Sequence, residues 1–167
     1  MTATNEISPQ ELRSRELSEK ERMTQETATE RLARVSAAAY RIRHHALTMG
    51  EVQGQGYVGQ ALGAADMLAA VYSDQLRFRA EDPEWEERDR FLLSTGHYAI
   101  GHYAALAEAG VVPVEELETY GSDDSRLPMS GMSTYTPGME ISGGSLGHGL
   151  TIAVGMALGL QIGRAHV

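Results

Sequence analysis

The amino-acid sequence predicts a helix-rich α/β fold with few strands. Apolar residues recur at three- and four-residue steps in several segments, which is the spacing of a helix with one buried face. One short, continuous apolar run, Phe91-Leu92-Leu93, is typical of a buried parallel strand. Glycine-rich stretches separate these segments. A length of 167 residues suits one domain with a substantial core.

The same patterns predict the elements in order. Residues 1–28 are polar and charged, so we expect a solvated arm or a marginal helix ahead of a domain over residues 29–161. Helices are predicted from residue 29 to Met49-Gly50, over 64–76, over 98–109, from Pro113 onward and over 146–161. Residues 121–145 are expected to form one long loop, and a loop of that length in a compact domain is usually functional or disordered.

Composition narrows the class of protein. The chain has 14 basic and 23 acidic residues, a net charge of −9, which argues against nucleic acid or an anionic membrane as the main partner. It has no cysteine, which excludes disulfides, zinc–thiolate sites and thiol nucleophiles. No apolar run approaches membrane-spanning length, and the N-terminus is charged. We therefore expect a soluble, cytoplasmic protein.

Two segments have the features of a small-molecule site. Residues 88–97 lead from a charged turn through the apolar run to Ser94-Thr95-Gly96-His97, which presents an imidazole at a predicted strand end. Residues 143–149 are glycine-rich and open into a helix, so a ligand can approach main-chain N–H groups there. Each segment alone also fits a structural role. The glycines match neither the dinucleotide fingerprint nor the P-loop.

In order and spacing, these segments resemble the N-terminal, diphosphate-binding part of transketolases, which are thiamine diphosphate enzymes. The resemblance runs from about Arg34 to Gln161. It rests on residues 62–66, 68–72, 88–97, 121–122, 126–128, 136–140, 144–149 and 153–157. The resemblance implies part of a thiamine diphosphate-binding fold, with helices around a parallel sheet.

Three site residues follow from the resemblance. His97 matches the family histidine beside the cofactor's diphosphate and thiazolium, where a neutral imidazole can pass protons to and from the donor sugar's hydroxyls. Gly144 and Leu146 match positions that touch the aminopyrimidine ring. Glycine permits backbone approach and leucine supplies an apolar face, although the helical spacing of Leu146 also fits an ordinary core residue.

The chain departs from the family pattern at three positions. Tyr57 and Ser130 stand where family members usually carry substrate-side histidines, and His148 replaces a frequent glutamine. Tyrosine and serine still hydrogen-bond sugar hydroxyls, so a different ketose donor is expected rather than an inactive site. The pair His44-His45 is expected on a helix surface or interface, and His102 has the wrong spacing for a helical metal pair.

The resemblance also implies Mg²⁺, but no residue of this chain is predicted to bind it. The family's Gly-Asp-Gly motif, followed by an asparagine, is expected soon after residue 161, so the metal ligands are expected downstream of this chain. Residues 162–167 resemble the translated read-through of a sequencing-library adapter. We therefore expect them to be non-native, His166 to have no function, and the preceding helix to expose apolar surface.

Three hypotheses for function remain. The first is part of a transketolase that transfers a two-carbon ketol unit from a ketose (or its phosphate) to an aldose (or its phosphate). The second is another thiamine diphosphate enzyme, of the deoxyxylulose-phosphate synthase or dehydrogenase E1 type. The third is a non-enzymatic helical interaction module. The resemblance implies a sugar substrate and a partner, which is a pyrimidine-binding domain or subunit. It also implies a homodimer or heterotetramer when complete.

Overall fold

A computed structural model describes residues 26–164 of the chain. Within that range it contains the α-helices α1 (Ala28–Gln53), α2 (Val58–Ala70), α3 (Ala99–Glu108) and α4 (His148–Arg164). A π-helical turn, Val71–Gln75, follows α2, and short 3₁₀ helices form at Gly96–Tyr98 and Val114–Thr119. Most of the predicted N-terminal arm and residues 165–167 of the predicted non-native end lie outside the described residues.

The chain divides into two units, residues 1–34 and 35–167. In the first unit, Thr27 and Glu30 cap the start of α1 reciprocally. The backbone N–H of Thr27 donates to the Glu30 carboxylate (2.9 Å), and that of Glu30 donates to the Thr27 hydroxyl (3.3 Å). These hydrogen bonds lower the pKa of the Glu30 carboxyl. The capping box explains why the helix begins within one residue of the predicted start.

Each predicted helical segment forms a helix, the one after Pro113 as a 3₁₀ helix, and the bounds of the first, second and last helices differ from those predicted. Helix α1 continues through Gly50 to Gln53. Helix α2 begins six residues before the predicted start, so Gly59 lies inside it rather than in a connection. The reason is tertiary packing: a Cβ on Gly101 of α3 would lie only 3.2 Å from the Cα of Ala61. Burial at this close helix contact outweighs the low helix propensity of glycine.

Helix α3 is the centre of the core of the second unit. All nine of its residues from Ala99 to Ala107 are buried, and α2 packs along it. Helix α1 contributes buried apolar side chains at helical spacing, namely Ala38, Ala39, Ile42, Ala46 and Met49. Alanine and glycine at the contacts let these helix axes approach closely, which gives a dense core from small side chains.

The predicted strand at 91–93 is not formed, and no strand occurs within residues 26–164. A parallel strand needs a second strand to accept and donate its backbone hydrogen bonds, and the described residues provide none. The parallel sheet is therefore not confirmed. Phe91 instead packs its ring against Tyr72 and His102, with centroids 5.7 and 5.1 Å apart, and Leu93 is buried.

The predicted long loop is present and is held against the core. No helix or strand forms between the 3₁₀ helix that ends at Thr119 and the start of α4. The buried Tyr103 of α3 donates its hydroxyl to the carbonyl of Pro128 (2.9 Å). The amide of Gly121 donates to the carbonyl of Leu127 (2.9 Å), and the side chain of Leu127 is completely buried. This segment is thus an ordered part of the domain.

Helix α4 contrasts with the rest of the domain because its apolar side chains are exposed. Leu150 is 74% exposed and Val154 54%. The other large apolar residues of the helix that are exposed are Ile152, Leu158, Leu160 and Ile162. The expectation that this helix exposes apolar surface is confirmed for the described residues. No helix in the described part of the chain is long and apolar enough to span a membrane.

Candidate active site

The two segments singled out in the sequence meet through direct contact between two glycine backbones. A Cβ on Gly96 would lie 2.3 Å from the carbonyl oxygen of Gly143, and one on Gly143 would lie 2.6 Å from the Cα of Gly96. Side-chain carbons do not approach backbone atoms that closely, so both positions require glycine. The contact joins the end of the 88–97 segment to the start of the 143–149 segment.

A third segment joins this contact through backbone hydrogen bonds. The amide of Gly131 donates to the carbonyl of Gly96 (3.2 Å), and the amide of Gly143 donates to the carbonyl of Gly131 (3.1 Å). Ser130 is the residue directly before Gly131, so its backbone lies beside the segment that carries His97. Three stretches that are separate in sequence are therefore fixed to one another.

Ser94 holds the start of α4 in place. Its hydroxyl oxygen accepts a hydrogen bond from the backbone N–H of Gly149 (3.1 Å). A Cβ on Gly149 would lie 2.4 Å from the Cβ of Ser94, so glycine is required here as well. One of the unsatisfied N–H groups at the N-terminus of α4 is thereby paired with a side chain of the other segment.

A cavity of about 270 Å³ lies beside these contacts. Its wall is rich in hydroxyl groups and bare backbone, and consists of Ser94, Ile141, Ser142, Gly143, Gly144, Ser145, His148, Gly149 and Ile152. A Cβ on Gly144 would meet no atom within 4 Å, so the backbone of this residue faces open space. Leu146 does not line the cavity, but its side chain is 64% exposed and lies two residues along from Gly144.

His97 lies in the 3₁₀ helix Gly96–Tyr98 with an aromatic ring on either side. The ring of Tyr57 meets it edge-on at a centroid distance of 5.2 Å, and the ring of Tyr98 does so at 4.8 Å. Both interplanar angles are 69°, the T-shaped geometry that aromatic pairs favour. Tyr57 is 48% exposed, so its hydroxyl-bearing ring combines contact with the imidazole and access to solvent.

Of the five site residues predicted, the structure brings Tyr57 into contact with His97 and places Ser130 next to a glycine that bonds to the His97 segment. Gly144 lines the neighbouring cavity. The sequence predicted no role here for Gly131 or Ser142, and it placed Ser94 in the first segment without assigning it a contact. Only Ser94 carried a signal, its position two residues before Gly96.

Three other histidines, His44, His45 and His102, do not line this cavity. His102 is completely buried in α3, where its Nε2 is hydrogen-bonded to the hydroxyl of Tyr72. Burial lowers the pKa of His102 to about 3, so it is a neutral core group at physiological pH. His44 and His45 lie on α1, and burial lowers the pKa of His45. Within residues 26–164 no group of three His, Cys, Asp or Glu side chains is arranged to hold a metal ion.

Arg88, Arg90 and Glu140 form an ion cluster that precedes Ser94 and Gly143 in the sequence. The Glu140 carboxylate accepts hydrogen bonds from Arg88 Nε (2.8 Å) and Nη2 (3.1 Å), and from Arg90 Nη1 (3.2 Å). Its side chain is largely buried, and a Coulombic contribution from Glu140 adds to burial in raising the pKa of the Tyr72 hydroxyl. Arg88 and Arg90 belong to the 88–97 segment, and Glu140 lies three residues before the 143–149 segment.

Comparison with known proteins agrees with the resemblance. The family model described as the transketolase thiamine diphosphate binding domain matches residues 35–165. A transketolase family protein from Sinorhizobium fredii is 72% identical over 123 residues, which are 74% of this chain and 44% of that protein. A 6-deoxy-6-sulfo-D-fructose transketolase subunit from Clostridium is 41% identical, over 70% of this chain and 43% of that one.

Solved structures give the same result. Transketolase from Leishmania mexicana superimposes with a TM-score of 0.70 and 34% identity, covering 74% of this chain and 18% of that one. Transketolase from Campylobacter jejuni superimposes with a TM-score of 0.67 and 30% identity, covering 74% and 19%. This chain spans less than half the length of the curated relatives it matches.

Proposed function

The chain belongs to the transketolase family, and we propose that it provides the thiamine diphosphate side of an enzyme that transfers a two-carbon ketol unit. The donor is a ketose or ketose phosphate, and the acceptor is an aldose or aldose phosphate. The observation that best supports this is the contact between Gly96 and Gly143, which joins the His97 segment to the segment that leads to Gly144. Neither segment has the fingerprint of another nucleotide site.

The residues present fit the ring portion of thiamine diphosphate. Gly144 offers bare backbone next to a cavity of about 270 Å³, and Leu146 offers an exposed apolar side chain two residues further on. When bound, the cofactor supplies the nucleophile and the electron sink for breaking and forming the carbon–carbon bond. The described residues 26–164 contain no group of three potential metal ligands. We propose that the ligands of Mg²⁺ are supplied by another part of the complete protein.

His97 is proposed to move protons between the hydroxyls of the sugar and solvent. A neutral imidazole can accept a proton at one ring nitrogen while it donates from the other, which suits it to proton exchange with a sugar hydroxyl. The edges of Tyr57 and Tyr98 restrict the rotation of the ring. The imidazole therefore needs little reorganisation when a substrate hydroxyl approaches it.

The experiment is the activity of the complete protein with His97 replaced. We expect His97→Ala to lower kcat by about a hundredfold to ten-thousandfold, the usual effect of removing a proton-transfer group. His44→Ala is the control, because His44 is exposed on α1 and away from the cavity. A His97→Ala enzyme that stays folded and keeps its kcat would overturn the proposed role.

Tyr57 and Ser130 are proposed to select the donor. Both offer hydroxyl groups where related enzymes offer imidazoles, so their hydrogen bonds suit a donor other than the common pentulose phosphates. The double variant Tyr57→His with Ser130→His should gain activity on pentulose phosphates relative to the native ketose. An unchanged ratio of kcat/KM for the two donors would assign donor choice to another part of the enzyme.

The proposed partner is a pyrimidine-binding subunit, in a cytoplasmic heterotetramer or dimer. Two relatives are named as transketolase subunits. One is the sulfofructose enzyme of Clostridium, and the other acts on apulose 4-phosphate in Actinobacillus succinogenes and is 42% identical over 103 residues. Co-purification of the complete protein with the product of an adjacent gene, followed by a screen of ketose phosphates, tests both the partner and the donor. A single chain active by itself would contradict the separate subunit.

A further inference from the structure

The ion cluster of Glu140, Arg88 and Arg90 lies outside the catalytic contacts described above. Glu140 is held by both oxygens: Arg88 binds them in a two-pronged arrangement at 2.8 and 3.1 Å, and Arg90 adds a third bond at 3.2 Å. Such planar, two-pronged pairs fix geometry as well as charge. One carboxylate therefore ties together two arginines and its own segment.

The cluster is shielded from solvent, unlike the comparable ion pair between Arg126 and Glu116. The side chains of Glu140 and Arg88 are each 9% exposed and that of Arg90 is 18% exposed. The side chains of Arg126 and Glu116 are 46% and 30% exposed. A shielded ion pair adds little net stability, because desolvation offsets its attraction, but it defines the relative position of the groups that it joins.

Both arginines are themselves fixed to the backbone. Arg88 Nη1 donates to the carbonyl of Trp85 (2.8 Å), and Arg90 Nη2 donates to that of Glu86 (3.4 Å). The carboxylate of Glu140 is thus attached to cations that cannot move freely. Any displacement of residue 140 breaks several hydrogen bonds together.

The position of the cluster along the chain connects it with the candidate site. Arg90 lies four residues before Ser94, and Glu140 lies three residues before Gly143. The 88–97 segment therefore contacts the chain around residues 140–143 at two points: at the ion cluster through Glu140, and at the Gly96–Gly143 contact, where there is no space for a Cβ.

We propose that Glu140 is a positioning residue, which holds the Gly143–Gly144 backbone against the His97 segment so that the cofactor ring meets a preformed surface. This inference rests on the proposed function for its ligand. Glu140 touches neither cofactor nor substrate. Its effect passes through the backbone: when the ion cluster is broken, binding must also order this loop, and that cost weakens the affinity for the cofactor.

The test is Glu140→Gln in the complete protein with its partner, using thiamine diphosphate and Mg²⁺ as ligands. The amide keeps the size of the side chain and removes the charge. We expect the dissociation constant for thiamine diphosphate, measured by calorimetry, to rise at least tenfold, while kcat at saturating cofactor stays within about twofold. Glu140→Asp, which keeps the charge, should recover part of the affinity.

Glu116→Gln is the matched control, because it breaks an exposed carboxylate–arginine pair of the same kind and should leave the dissociation constant unchanged. Amide hydrogen exchange over residues 141–149 is a second readout, expected to be faster in Glu140→Gln than in the wild type. A folded Glu140→Gln protein with wild-type cofactor affinity and wild-type exchange would overturn the inference, even if its melting temperature were lower.

Two further outcomes are decisive as well. If the wild-type complete protein does not bind thiamine diphosphate, the proposed function fails, and the exchange rates still decide whether Glu140 orders the loop. If Glu140→Gln does not fold, Arg90→Lys replaces it, because lysine keeps the charge but loses the planar arrangement. We expect a severalfold weaker affinity for Arg90→Lys, and wild-type affinity with wild-type exchange there would overturn the inference.

Discussion

Helices α3 and α4 begin at the two halves of the candidate site, yet their surroundings are opposite. Helix α3 follows His97, and its residues from Ala99 to Ala107 are all buried. Helix α4 follows Gly144 and is equally rich in apolar residues, yet Leu150 is 74% exposed. Apolar sequence therefore predicts a helix in both cases, but burial depends on what packs against it. One half of the site is built on a rigid core and the other on a helix that nothing in residues 26–164 covers.

The sharpest test of this contrast is a pair of leucine truncations. Leu106→Ala in α3 should lower the free energy of unfolding by about 2–5 kcal/mol, because it leaves a cavity in a closely packed core. Leu150→Ala in α4 removes the same atoms from an exposed position and should change it by less than about 0.5 kcal/mol. Urea unfolding of the chain measures both. Equal losses would mean that α4 is buried in solution.

The second test uses the buried histidine of α3. Burial lowers the pKa of His102 from its ordinary value of 6.5 to about 3, so between these pH values only the unfolded chain binds this proton. The stabilisation is complete above about pH 6.5 and decreases as the pH falls, by ~1.4 kcal/mol per pH unit for one proton. Between pH 7.5 and 5.5 this gives a loss of about 1.4 kcal/mol.

His102→Asn should remove that part of the pH dependence, although it also lowers stability at every pH because it alters the contact with Tyr72. The measurement is the difference in unfolding free energy between pH 7.5 and 5.5 for each protein. If the variant and the wild type lose the same amount over this range, another group causes the pH dependence.

The smallest effect on stability and the clearest effect on association are expected at α4. Its exposed leucines and isoleucines, with Val154, present apolar side chains to solvent along the helix, so we expect the isolated chain to self-associate. Leu150→Glu combined with Leu158→Glu should shift the elution volume in size exclusion towards the monomer and leave the unfolding free energy nearly unchanged. A wild-type chain that is monomeric at high concentration would show that this surface is protected.

The sequence predicted where the helices lie, but not how the two segments 88–97 and 143–149 meet. The capping pair Thr27 and Glu30 and the apolar spacing are local signals, and they locate helix ends to within a few residues. The early start of α2 at Val58 was missed because Gly59 disfavours a helix unless tertiary packing compensates. A strand at 91–93 could not be verified from an apolar run alone, because a strand depends on a neighbour.

The contact between Gly96 and Gly143 joins residues that are 47 positions apart in the sequence, so no local pattern could predict it. The same is true of the hydrogen bond from Gly149 to Ser94. The ring contact between Tyr57 and His97, 40 positions apart in the sequence, was not predicted either. The resemblance predicts the site residues, and the structure shows how the backbone segments that carry Ser130, His97 and Gly144 are joined.

We propose that the contact between the backbones of Gly96 and Gly143 builds a thiamine diphosphate site from the segments 88–97 and 143–149. Its most direct test is the dissociation constant for thiamine diphosphate of the complete protein carrying Gly96→Ala, measured by calorimetry with Mg²⁺. Gly63→Ala is the control, because a Cβ there meets no atom within 4 Å. We predict affinity at least tenfold weaker for Gly96→Ala and unchanged for Gly63→Ala. Wild-type affinity in a folded Gly96→Ala protein would contradict the account.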